Sequence, residues 1–225
     1  MPIAVVTRML VSALALGGLI VGFGGLSDEA DRLTVISTEL NFATGANLPL
    51  PQFAREVSAS HSVVCRNDFR RAATAIALAD LSAALDEEGR RSRLESAISA
   101  IKQQLGCSPR DGNAWLLLAV VTDPTGRRNA IYDYLNLSQR YAPLEGWIIG
   151  RRIRFVCSMA GPDLGAALDN VRRDFRALLS DRQFVAAGEL YDNCRNGAER
   201  GFEEALADVD PSTRQAFVRA MARKT

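Results

Sequence analysis

Histidine is almost missing from this chain, and His61 is its only imidazole. That scarcity removes most metal-ligand sets and every catalytic dyad or triad built on a helical histidine, so neither a metal nor a cofactor is expected. Of 27 basic residues only Lys102 and Lys224 are lysines, and the net charge is +1. A balance so close to zero gives no global field to recruit nucleic acid. No Cys-x-x-Cys pair occurs, which argues against zinc and thioredoxin-like chemistry. No stretch alternates apolar and polar residues over six positions, so strands are not expected either. What the chain does have is 48% hydrophobic residues, enough for a substantial core.

Uncharged residues run from Met9 to Ser27, with Arg8 before them and Asp28, Glu29 and Asp31 after. A bilayer-spanning helix needs about 20 apolar residues, and this run meets that length. Arg8 on the short N-terminal side is expected to stay in the cytoplasm and so to place the remainder outside it. An uncleaved signal anchor over 1–27 is favoured over a cleaved signal peptide, whose apolar region would be unusually long and would lack an Ala-x-Ala site. Residues 28–63 read as an extracytoplasmic linker, broken by Gly45 and by Pro49-Leu-Pro51.

From Asp68 the apolar period becomes helical. Phe69, Ala72, Ala73 and Ile76 recur at spacings of three and four, as do Leu94, Ala97, Ile98 and Ile101, with Glu88-Gly89-Arg90 as the expected turn between them. Further helices are expected over 112–121, 129–141, 144–158, 162–179 and 182–194, then from Gly201 and from Pro211. Pro143 suits the start of one helix, and Ser180-Asp181 the cap of another. The body is therefore expected to be all-α.

Pro109-Arg-Asp-Gly112-Asn-Ala-Trp115-Leu-Leu-Leu-Ala119, then Gly126, is followed by an amphipathic run ending at Ala142-Pro143 and a restart at Leu144-Glu-Gly146-Trp147. The 34-residue step from Pro109 to Pro143, with Trp, Gly and Ala at these places, resembles the tetratricopeptide (TPR) repeat. The resemblance implies a short α-α solenoid of antiparallel helix pairs over 64–180, with capping helices over 181–225. It also implies that Trp115 and Trp147 are core residues within their repeats, and that the chain displays a partner surface. The arrangement is similar as well to TPR-like proteins of bacterial polysaccharide export loci.

Cys65, Cys107, Cys157 and Cys194 gain a role from export. In the helix plan Cys65 and Cys107 fall at one end of an antiparallel pair, and Cys157 and Cys194 end helices that point the same way. Disulfides Cys65–Cys107 and Cys157–Cys194 are expected, each contributing about 3 to 4 kcal/mol. Four buried free thiols are the alternative.

Trp147, Arg151, Arg152 and Arg154 form a candidate partner surface, since forked guanidiniums bind carboxylates and phosphates. Arg127, Arg128, Arg140, Arg172, Arg173 and Arg176 flank it in sequence. Asp80, Asp86, Glu87, Glu88, Glu189 and Asp192 could serve acid–base work on a glycan only if two of them faced each other. The sequence thus points to a non-enzymatic scaffold of the bacterial inner membrane, single-pass, with a cytoplasmic N-terminus and a periplasmic body. Its expected partners are envelope or inner-membrane proteins. An acidic-glycan-binding module using Trp147 and the arginines is the alternative, followed by a carboxylate-based glycan-processing enzyme.

Overall fold

A computed structural model describes residue 65, residues 67–159 and residues 165–223. Among these residues the chain is entirely helical: α1 (Asn67–Ser82), α2 (Glu87–Cys107), α3 (Gly112–Thr122), α4 (Arg128–Tyr141), α5 (Gly146–Ser158), α6 (Gly165–Ser180), α7 (Phe184–Asn193), α8 (Arg195–Asp208) and α9 (Pro211–Ala222). The anchor expected over 1–27 and the linker over 28–63 lie outside the described residues. Among the described residues no helix is long and apolar enough to cross a membrane. The chain divides into two compact units, 1–100 and 101–225.

In the first unit α1 and the first part of α2 run antiparallel. Ala77 packs with Ala97 and Ala100, small residues that let the helix backbones approach, and Leu78 and Leu81 cover this patch. Arg93 Nε lies 3.6 Å from Asp80 Oδ1 beside the turn. The turn itself falls earlier than Glu88-Gly89-Arg90. Asp86 takes the amide N–H of Gly89 at 2.6 Å, so α2 starts at Glu87 and those three residues lie within it.

The second unit is built as two layers. α3, α5, α7 and α9 are successive neighbours in one, and α4, α6 and α8 in the other, with α3 also against α4 and α5 against α6. The sequence specifies the first of these pairs locally. Asp111 caps α3 by accepting from the amides of Asn113 and Ala114, both at 3.1 Å. Gly112 is required by packing, because a Cβ there would lie 2.5 Å from the Ala142 Cβ at the end of α4. A 3₁₀ turn, Asp123–Thr125, closes α3, and Gly126 reverses the chain with a φ of 69° that a side chain would resist.

Buried positions on each later helix repeat at three and four: Ile131, Leu135 and Ser138 on α4; Ile149, Arg152, Ile153 and Val156 on α5; Val171, Asp174, Phe175 and Leu178 on α6. The C-terminal helices add an aromatic knot. Phe175 meets Phe202 edge-on with centroids 4.7 Å apart and Phe217 at 5.8 Å, and Tyr191 joins both. Asp210 caps α9 through Thr213, and the hydrogen bonds from Ser212 and Thr213 hold its carboxyl well below the usual carboxylate range.

Three further boundary expectations fail for identifiable reasons. Pro143 lies in the loop before α5, which starts at Gly146. Ser180 and Asp181 end α6 instead of capping α7: Gln183 N–H returns to Leu178 O at 2.9 Å and Arg182 N–H to Leu179 O at 3.1 Å, a Schellman closure. α8 starts at Arg195, directly after Cys194, and so well before Gly201.

All four cysteines are disulfide-bonded, as expected from their placement. Cys157 and Cys194 are joined with 5.5 Å between their Cα atoms, tying the C-terminal end of α5 to that of α7.

Two charged residues lie inside this core. Arg152 and Asp174 have side chains 0% and 1% exposed, and the guanidinium forks onto the carboxylate at 2.7 and 2.8 Å. Its remaining donors reach Ser138 Oγ and Ala142 O, both at 3.1 Å, and Gln139 donates to Asp174 at 2.9 Å. Burial pushes the Asp174 carboxyl up, against the pull of the Arg152 hydrogen bonds.

Removing one member strands the other charge, so Asp174→Leu is expected to cost about 3 to 5 kcal/mol in urea unfolding, whereas Arg152→Met with Asp174→Leu costs far less. A single substitution costing under about 1 kcal/mol would mean the pair is not desolvated as described. Arg182 sits at φ 57°, in the left-handed region, where glycine carries no Cβ penalty. Arg182→Gly should therefore raise stability by about 1 kcal/mol, read as a higher melting temperature; an unchanged or lower one contradicts this account.

Candidate functional site

On α5 the residues Trp147, Gly150, Arg151 and Arg154 recur at three and four and so share one face. Arg152 is one position on from Arg151, which turns it by about 100° and into the core. It therefore leaves the surface expected for it, and the arginines adjacent in sequence divide between two environments.

Trp147 departs from the core position that the repeat resemblance implies: 57% of it is exposed. Trp115 is the structural one of the two. It is half-buried on α3, stacks on Tyr134 of α4 with centroids 5.9 Å apart, and its indole N–H donates to Pro109 O at 2.9 Å.

A groove of about 620 Å³ runs between α5 and α7. Trp147, Gly150 and Arg154 form one wall, Ala186, Glu189 and Asn193 the other, and Leu178 lies at its base with the Cys157–Cys194 disulfide beside it. The absence of a side chain at Gly150 leaves a notch in the α5 wall. At the end of the groove Gln183 packs over Gly146 so closely that a Cβ there would lie 2.6 Å from its amide oxygen.

Among the described residues neither Arg151 nor Arg154 forms an ion pair. Arg151 donates to Asn113 Oδ1 on α3 at 3.0 Å, a neutral partner. Partial burial, and then the positive charge of Arg154, hold its guanidinium below the ordinary arginine value. Arg154 is exposed. Across the groove Glu189 is exposed as well, with Asn193 donating to its backbone carbonyl at 2.8 Å. The site thus offers an aromatic plate, carboxamides and charges of both signs.

The carboxylates singled out from the sequence are scattered. Asp80 faces Arg93 and Asp86 caps α2, while Glu87 and Glu88 lie in the first turn of α2, where negative charge complements the helix dipole. Only Glu189 lines the groove. Among the described residues no group of three or more potential ligands could hold a metal ion. Gln183 and Asn193 carried no signal of their own in the sequence. Their place was readable only from spacing on α7, where Ala186, Glu189 and Asn193 recur at three and four. Comparisons with protein-family models, curated proteins and solved structures give no match to this chain.

The two tryptophans should separate in fluorescence. Trp147→Phe is expected to remove most of the acrylamide-quenchable emission and leave the shielded signal of Trp115; quenching that survives the substitution would show that Trp147 is not the open ring.

Proposed function

We propose that this chain is a non-enzymatic scaffold that holds a polypeptide partner in the groove between α5 and α7. The observation that carries the reading is Trp147, a large aromatic residue 57% exposed on a groove wall beside the exposed Arg154. Tryptophan and arginine are the residues that most often dominate binding energy at protein interfaces. Carboxamides and charges of both signs around them suit a peptide backbone with mixed side chains. Glu189 on the facing wall works against an acidic glycan, the second ligand class that Trp147 and the arginines suggest.

The two-layer order of α3 to α9 supports the TPR-like reading, in which first helices line one layer and second helices the other. The disulfides support a body in an oxidising compartment. With residues 9–27 as a single-pass anchor and Arg8 on the cytoplasmic side, the body stands in the periplasm of a bacterial cell. The partners are then envelope or inner-membrane proteins, in the setting of polysaccharide biosynthesis or export that the sequence resembles.

Crosslinking in intact membranes, followed by capture through a tag after Thr225, tests this. Wild-type chain is expected to recover a defined set of envelope proteins, reduced about tenfold or more by Trp147→Ala with Arg154→Ala. The same set at the same yield from the double variant would remove the groove from recognition, and recovery of no protein by the wild type would remove the scaffold reading.

A further inference from the structure

The second layer carries a basic groove of its own. Two adjoining hollows, about 930 and 670 Å³, share Leu144, Arg173 and Ala177. Arg140 of α4 lines the first and Arg176 of α6 the second, so three guanidiniums border one continuous depression beside the α4–α5 loop.

These charges are poorly compensated. Arg140 and Arg176 are exposed, and neither makes an ion pair or hydrogen bond with the described residues, Arg176 only lending its field to Asp208. Arg173 is held against the wall by neutral acceptors: Asn136 Oδ1 at 3.1 Å, Asn170 Oδ1 at 3.2 Å and the Asp169 carbonyl at 3.2 Å. The buried carboxylate nearest to it in sequence, Asp174, is already taken by Arg152. Two acidic residues belong to the lining, Asp133 at the α4 end and Asp181, whose carboxylate accepts from Gln183 at 2.5 Å. Positive charge therefore predominates along the groove. Within it Leu144, which follows Pro143, is 74% exposed, an aliphatic side chain offered to solvent.

We propose that this groove is a second docking site, for an extended acidic polypeptide segment with an aliphatic residue that seats on Leu144 and carboxylates that pair with Arg140, Arg173 and Arg176. Charge complementarity sets the sign of the partner, since forked guanidiniums match carboxylates in geometry as well as charge. The exposed leucine calls for an apolar group between those charges. Sugars are disfavoured because, among the described residues, no aromatic ring lines the groove to stack on them. The concavity fits a chain better than a flat bilayer. The site belongs to the α4–α6 layer and stands whether or not the α5–α7 groove takes a partner. If both act, the chain joins two polypeptides.

The test uses full-length protein and a fluorescein-labelled decapeptide of glutamates with one central leucine, followed by fluorescence anisotropy. Binding is expected, weakening as salt rises. Arg140→Ala with Arg176→Ala should weaken it by about tenfold or more, Leu144→Ser by a smaller factor, and Trp147→Ala should leave it unchanged. The substituted residues are exposed, so helical circular dichroism and melting should match the wild type. A glutamine analogue of the peptide should not bind. The proposal is overturned if the peptide does not bind the wild type or binds the arginine variant equally well, if Trp147→Ala abolishes binding, or if a sulfated oligosaccharide or phosphatidylglycerol vesicles bind more tightly through the same arginines.

Discussion

The second unit depends on the Arg152–Asp174 pair. Four elements converge on it: α5 supplies the guanidinium, α6 the carboxylate, α4 the Ser138 hydroxyl, and the chain just past α4 the Ala142 carbonyl. A buried charge tolerates little displacement, because every lost hydrogen bond leaves a polar group without water to replace it. Aliphatic side chains around it can slide and still be buried, whereas the fork cannot. The pair thus fixes the relative register of α4, α5 and α6, and Gly112 brings the start of α3 against the same Ala142.

That register decides which arginines face outward. With Arg152 pinned inward, Trp147, Gly150, Arg151 and Arg154 must turn to the layer shared with α3 and α7. With Asp174 pinned inward, Arg173 and Arg176 must turn to solvent beside α4. The buried ion pair and the two basic surfaces are consequences of one helical phase on each of two helices. The disulfide between Cys157 and Cys194 acts on the other side of the groove, by holding the far ends of α5 and α7 at a fixed separation. Groove width is then set by covalent geometry at one end and by the fit of Gln183 over Gly146 at the other.

Two kinds of sequence signal translated into structure without loss. Apolar spacing of three and four located the helices, since burying one helical stripe admits no other period. The restart at Pro211 also held, and the cap at Asp111 and the left-handed Gly126 found in the structure are likewise decided within a few residues of chain. Signals that depend on a neighbour did not translate. Ser180-Asp181 has the chemistry of a cap, yet the chain closes α6 there in a Schellman turn that tolerates a left-handed arginine. Trp147 matches a repeat core position in sequence, yet its ring faces the groove because Ile148, Ile149 and Ile153 fill the interior in its place.

By itself the sequence determined the helical class of the described residues, the approximate place of most of their helices and the pairing of Cys157 with Cys194, all consequences of composition or of spacing along one chain. The tertiary structure alone decided which charges are spent internally and which stay at the surface. Arg151, Arg152 and Arg154 are alike as residues, and only the placement of Asp174, 22 positions beyond Arg152, draws one of them into the core. The physical reason is that desolvating an arginine is tolerable only where a carboxylate and further acceptors already wait, and such a convergence of separate helices is a property of the fold.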